Sequence, residues 1–273
     1  MAEKSTYIPL RKNPPRSPFN AQDQLVIFGE LFSRGYANGL VDEAESRKMK
    51  IIYSTVGRRE KDQTLRGLQG EEITKPADQF INIPLEAGFD LFNMDGWKPV
   101  DELEGVKLSE WENVKINWDK IEKARKAAQE DFRARVDRYV KELEPKLDLS
   151  KHTLIAHIMA GGVPRTKIVM PLMNRVFKGV GDRYLPSETF WKSEIGKFCA
   201  LNFLEVTAFT YQVLLEKTKD LRDKAKAKGG SISYVAYGYH GTEVLMGGEF
   251  EWQSYAPYLQ GWSKVELEHV SER

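Results

Sequence analysis

The chain has 273 residues, 41% of them hydrophobic and 30% charged, with 41 Lys and Arg against 40 Asp and Glu. That length supports one large globular domain or two small ones, and a net charge of +1 excludes a dominant nucleic-acid stripe or an acidic tail. The lone cysteine, Cys199, excludes a disulfide framework and a multi-thiolate zinc site, and it points to a reducing cytosol.

Residues 1–22 are basic and proline-bearing without the apolar core of a secretory signal, so they read as a surface arm before a single domain over 23–273. Leu25 to Gly29 is a short apolar run stopping at glycine, Leu40 to Arg47 reads as a helix, and Lys50 to Ser54 is a second short β-branched run. Strand, glycine turn, helix and strand within about 30 residues make a βαβ unit. A third apolar run lies at Gln79 to Ile83. From Ser109 to Leu147, apolar residues at three- and four-residue steps predict a long amphipathic helix. Thr153 to Ala160 reads as a fourth strand, Pro164 to Lys192 as an irregular insertion (about 164–192), and Glu194 to Lys228 as another helix. Ser231 to Tyr237 is the fifth strand, and a last helix begins near Tyr258. The weakly charged stretch Phe198 to Leu215 is broken by Glu205 and several amides and hydroxyls, so it is expected to be a buried helix and not a bilayer span. Strands alternating with helices predict an α/β chain with a Rossmann-like, doubly wound parallel sheet.

After the first strand, small residues at Gly29, Ser33 and Gly35, with Arg34 and Tyr36 among them, allow a tight turn toward a pyrophosphate at the next helix N-terminus. The strict dinucleotide fingerprint is not present, and an ordinary strand-to-helix turn has the same composition. After the second strand, Arg58 and Arg59 stand where an NAD binder usually offers an acid. Two guanidinium groups there suit the 2′-phosphate of NADP(H), with NAD(H) as the alternative and a solvated basic turn as the bland reading. Near the end, Tyr255 and Lys264 are the phenol and amine that a reductase needs. The phenol donates to an oxygen that becomes negative, and the ammonium binds ribose and lowers the phenol's pKa.

The order of elements resembles the short-chain dehydrogenase/reductase superfamily. Eight residues between Tyr255 and Lys264, with Gly261 between them, resemble the divergent trans-2-enoyl-CoA and enoyl-acyl-carrier-protein reductases. Gly35-Tyr36 and the run Ala160-Gly161-Gly162-Val163-Pro164-Arg165-Thr166 are similar to that family's motifs. The resemblance implies nucleotide contacts at Ala160 and Gly161, and a second tyrosine near the substrate carbonyl. Tyr237 matches that place best, Tyr239 competes closely, and Thr242 offers an alternative hydroxyl ranked below Tyr237. It further implies an enoyl thioester substrate carried by CoA or acyl carrier protein, in the cytoplasm, with no nucleic acid, no membrane span, and a homo-oligomer left open.

Other readings stand beside this one. Tyr255 and Tyr258 lie between Trp252 and Trp262, where aromatics commonly pack. Tyr184 and Lys192 form a competing pair placed too early in the chain. His157 reads as a satisfied core histidine, the four histidines form no metal spacing, Ser231 and Ser233 lack a hydrolase elbow, and Cys199 reads as inert. The superfamily's last strands are expected to be lacking, because the chain ends nine residues after Lys264. That leaves open a catalytically silent nucleotide-binding protein that recruits a partner, as well as a carbonyl or 3-oxoacyl reductase.

Overall fold

A computed structural model describes residues 19–33, 35–177, 187–237, 240–246, 249–254 and 259–272. In chain order these form β1 (Gln24–Glu30), α1 (Ala37–Ser46), β2 (Lys50–Thr55), the small hairpin β3 (Arg58–Arg59) and β4 (Leu65–Arg66), β5 (Phe80–Pro84), and the long helix α2 (Trp118–Leu143). Then come β6 (His152–His157), α3 (Val169–Phe177), α4 (Ser187–Lys192), α5 (Glu194–Leu204), α6 (Thr210–Lys217), α7 (Lys219–Ala227) and β7 (Ser231–Ala236). The hairpin β8 (His240–Met246) and β9 (Glu249–Ser254) precedes α8 (Leu259–Ser271).

Alternation along β1 decides the layering. Val26 and Phe28 face one side of the sheet, where they meet Phe132, Val136 and Tyr139 of α2 and Tyr211 and Leu214 of α6. Leu25 and Ile27 face the other, against Val41 and Ala44 of α1. All four β1 residues are fully buried, and each such side chain contributes about 1.5–3 kcal/mol relative to exposure. Burial on both faces also explains why the central strands β1, β2 and β6 read as apolar runs. The sheet order is β5-β2-β1-β6-β7, and every pairing is parallel. The chain winds outward from β1 to β5, then returns through α2 to start again at β6. The switch point therefore lies between β1 and β6, the usual place for a crevice at the carboxyl ends of the strands.

Several expectations are corrected. The fourth strand stops at His157, and residues 158–162 leave the sheet as a loop. The long helix begins at Trp118, where the Asn117 side chain accepts from the Lys120 N–H, and not near Ser109. The stretch read as irregular contains α3, whose Val169, Leu172, Met173 and Val176 enter a second core with Phe89, Phe198 and Phe203. The helix expected over Glu194 to Lys228 is divided. A π-helical turn at Glu205–Phe209 separates α5 from α6, and Thr218 separates α6 from α7. The span Glu194–Lys217 is long and apolar enough to cross a bilayer, but most of it is buried inside the protein.

Candidate active site

Two cavities open at the switch point. The larger, about 300 Å³, is walled by Glu30 and Phe32 after β1, Val56 after β2, Glu86, Ala87 and Asp90 after β5, and the loop after β6. The smaller, about 150 Å³, runs past Gly35, Tyr36 and Ala37 to Tyr237 and Lys264. Glu30, Phe32, Ile158 and Ala160 line both, so the two form one crevice with a shared seam.

Local sequence builds this crevice. Gly29 has φ +126°, and a Cβ there would lie 2.7 Å from Ile158 Cγ1, so its glycine lets β1 close against the loop after β6. Gly162, at φ +112°, lets the same loop touch α5: a Cβ would lie 2.7 Å from the Phe203 Cα. Asn202, almost fully buried on α5, ties the walls together. Its Nδ2 donates to the Gly162 carbonyl at 2.8 Å, and its Oδ1 accepts from the N–H groups of Phe89 at 2.9 Å and Asp90 at 3.3 Å.

In the smaller cavity, Lys264 is 3% exposed, and burial holds its amine down at about 8 from the ordinary 10.5, with Glu268 pulling back weakly. Burial pushes the Tyr237 phenol up, so it stays protonated. Helix α1 begins at the cavity wall with no side chain capping it and no acid in its first turn. Below lies His157, whose Nε2 meets Thr210 Oγ1 at 2.8 Å while Nδ1 has no partner among the described residues. Burial first, and the Lys264 charge second, hold that ring well below its ordinary pKa and therefore neutral. The core reading of His157 thus holds in position, but only one of its two nitrogens is satisfied.

In the larger cavity Glu30, Glu86 and Asp90 face Arg165, whose Nη2 is 2.6 Å from Glu86 Oε2. Burial pushes the Asp90 carboxyl up, and the Arg165 N–H, at 3.1 Å from Oδ2, offsets only part of that. Cys199 is fully buried and its thiol is pushed up by burial, which makes it a poor nucleophile.

Of the residues singled out in the sequence, Gly35, Tyr36, Ala160, Tyr237 and Lys264 share the smaller cavity. Gly29 packs against Ile158, and Gly29, Ser33 and Gly161 line neither cavity. Arg34, Tyr239, Tyr255 and Tyr258 lie outside the described residues. Arg58 and Arg59 both fall on β3 and line neither cavity. Arg58 makes two parallel bonds to Glu30, at 3.0 and 2.8 Å, and Arg59 pairs with Glu86 at 2.5 Å. Glu30, Glu86, Asp90 and Asn202 line the larger cavity without belonging to any motif of the sequence. A carboxylate ending β1 beside arginines ending β2 was the available signal for Glu30; the others are set by tertiary approach.

The family model for the enoyl-acyl carrier protein reductase FabMG matches residues 6–273. The chain belongs to the FabMG family. An apo structure of FabMG, a novel type of enoyl-acyl carrier protein reductase, is 41% identical with a TM-score of 0.90, over 98% of this chain and 62% of that one. An NADH-bound FabMG structure is 35% identical with a TM-score of 0.71, over 98% of this chain and 61% of that one. The chain thus spans somewhat less than two thirds of the length of these FabMG structures. No curated protein matches it.

Proposed function

We propose that the chain carries the dinucleotide site and catalytic pair of an enoyl-acyl carrier protein reductase, which saturates the double bond of an enoyl thioester. The observation that carries this reading is the smaller cavity. There a buried lysine, a protonated phenol and an uncapped helix N-terminus meet at the switch point of a parallel sheet, in a chain of the FabMG family. The NADH-bound relative supports a nicotinamide dinucleotide as the cofactor.

The residues present fit that group. No side chain caps the N-terminus of α1, where the Asn38 N–H donates to the Gly35 carbonyl at 3.1 Å and the other first-turn N–H groups can meet a pyrophosphate, and at Gly35 a Cβ would meet nothing nearer than 3.5 Å, which leaves room at the wall. When bound, the dinucleotide supplies the hydride that goes to the β-carbon. Lys264 donates from Nζ to ribose hydroxyls, and its charge favours ionisation of a nearby phenol. Tyr255, separated from Lys264 by eight residues as in the divergent enoyl reductases, donates to the thioester oxygen as it gains negative charge, and Tyr237 of the cavity wall is the second phenol. A reducing cytoplasm suits the reading.

The test is oxidation of reduced nicotinamide dinucleotide, followed by absorbance, with enoyl thioesters on acyl carrier protein and on CoA. Turnover that requires an enoyl thioester supports the assignment. Turnover with 3-oxoacyl thioesters alone would move it to a carbonyl reductase, and tight binding without turnover would leave a silent nucleotide-binding protein.

A further inference from the structure

We infer that Glu30, buttressed by Arg58, selects the dinucleotide that lacks a 2′-phosphate. The inference rests on the dinucleotide reading above and adds a residue that decides which dinucleotide enters.

The Glu30 carboxylate sits on the seam of the crevice and lines both cavities, with its side chain 12% exposed. Its two oxygens are used unequally. Oε2 accepts from Thr55 Oγ1 at 2.6 Å, the Val56 N–H at 3.1 Å and Arg58 Nη1 at 3.0 Å. Among the described residues Oε1 accepts only from Arg58 Nη2, at 2.8 Å. A carboxylate oxygen has about two acceptor directions, so Oε1 retains one for a ribose hydroxyl while Oε2 anchors the group. Burial raises the carboxyl's pKa, but the bonds from Arg58, Thr55 and Val56 outweigh it, and the group is held below its ordinary range, ionised at neutral pH.

The surroundings work against a second phosphate. Glu30, Glu86 and Asp90 line the larger cavity, and the guanidinium that faces them, Arg165, is paired to Glu86. Arg58 and Arg59, the expected phosphate ligands, are paired to the carboxylates of Glu30 and Glu86 and line neither cavity. A 2′-phosphate would have to break a two-bond guanidinium–carboxylate pair and then sit beside the freed Glu30, and like-charge contact at that distance is costly. The roles are therefore reversed from the sequence expectation: Arg58 holds the acid, and the acid reads the ribose.

Calorimetric titration of the chain with NADH, NADPH, and the fragments 5′-ADP and 2′,5′-ADP decides it without any turnover. NADH and 5′-ADP should bind tighter than their 2′-phosphorylated partners by roughly tenfold or more. Glu30→Gln should erase most of that preference, mainly by improving NADPH, and Arg58→Gln should weaken NADH while leaving NADPH no weaker. Far-UV circular dichroism and melting temperature establish that each variant is folded; if Glu30→Gln fails that check, Arg58→Gln and the fragment pair decide alone. Equal affinity of the unaltered chain for NADH and NADPH, a preference that survives Glu30→Gln, or an Arg58→Gln loss confined to NADPH would each overturn the inference. Should neither dinucleotide bind, the dinucleotide reading itself falls, and this inference with it.

Discussion

At the scale of single residues, Lys264 is the group whose chemistry depends most on the fold. Burial leaves its amine at about 8, so near neutrality it is charged and close to titrating. A ribose hydroxyl and two phosphates in the crevice favour the ammonium, so the bound state holds its proton to higher pH than the free state. By linkage, dinucleotide affinity should be full below pH 8 and fall as pH rises through it. Titration across that range should show the decline for the unaltered chain, and a weaker, flatter profile for Lys264→Met. Among the described residues Glu268, His157 and Tyr237 are the neighbouring titratable groups. His157 is held neutral and Tyr237 protonated in this window, so neither can imitate the effect. Tyr255 is tested differently. Tyr255→Phe should keep dinucleotide affinity within about twofold while turnover falls about 10²–10⁴-fold, the range for loss of a positioned proton donor. Unchanged turnover would remove Tyr255 from the mechanism.

At the scale of elements, the loops after β1, β5 and β6 make the crevice, and Asn202 ties the loops after β5 and β6 to each other. Asn202→Leu would leave the Gly162 carbonyl and the Phe89 N–H without this partner in a buried setting, at about 1–3 kcal/mol for each orphaned group. Denaturant unfolding should show a loss of that order, and affinity for the dinucleotide should fall with it because both walls slacken. Gly29→Ala should cost about 1–3 kcal/mol in strain, with more from the 2.7 Å approach to Ile158. A stability unchanged by Gly29→Ala would mean that β1 does not need this contact. The same elements show what was legible beforehand. The strands β1, β2 and β6 were readable because burial on both faces makes them apolar runs, β5 and β7 because they are short β-branched runs between turn residues, and α2 because its stripe has helical period. The two-residue strands β3 and β4 were not, since so short a pairing has no periodicity of its own. Nor was α3, because glycines and prolines on its flanks outweighed Leu172, Met173 and Val176. The crevice followed the same division: Gly35 and Lys264 could be found by spacing along the chain, whereas Asn202 and Asp90 reach it only because the second core draws α5 under the loop after β5.

At the scale of the whole molecule, the crevice lies between the two halves of one sheet, so a ligand in it touches both windings at once. The loop after β1 belongs to the first winding, and the loop after β6, with Tyr237 and Lys264, to the second. Occupancy should therefore stabilise the entire fold and not one lobe. A ligand that binds only the native state, present at a hundredfold excess over its dissociation constant, contributes about 2.7 kcal/mol. For a chain of this size that corresponds to a melting shift of roughly 5 °C. Thermal melts with NADH should show a single transition displaced upward by about that amount, and the shift should grow with the logarithm of concentration. The fragment 5′-ADP, which reaches only the adenosine side, should shift the same single transition by less. Two transitions, with only one moved by ligand, would show that the halves unfold separately and that the seam at Glu30 and Ile158 does not couple them.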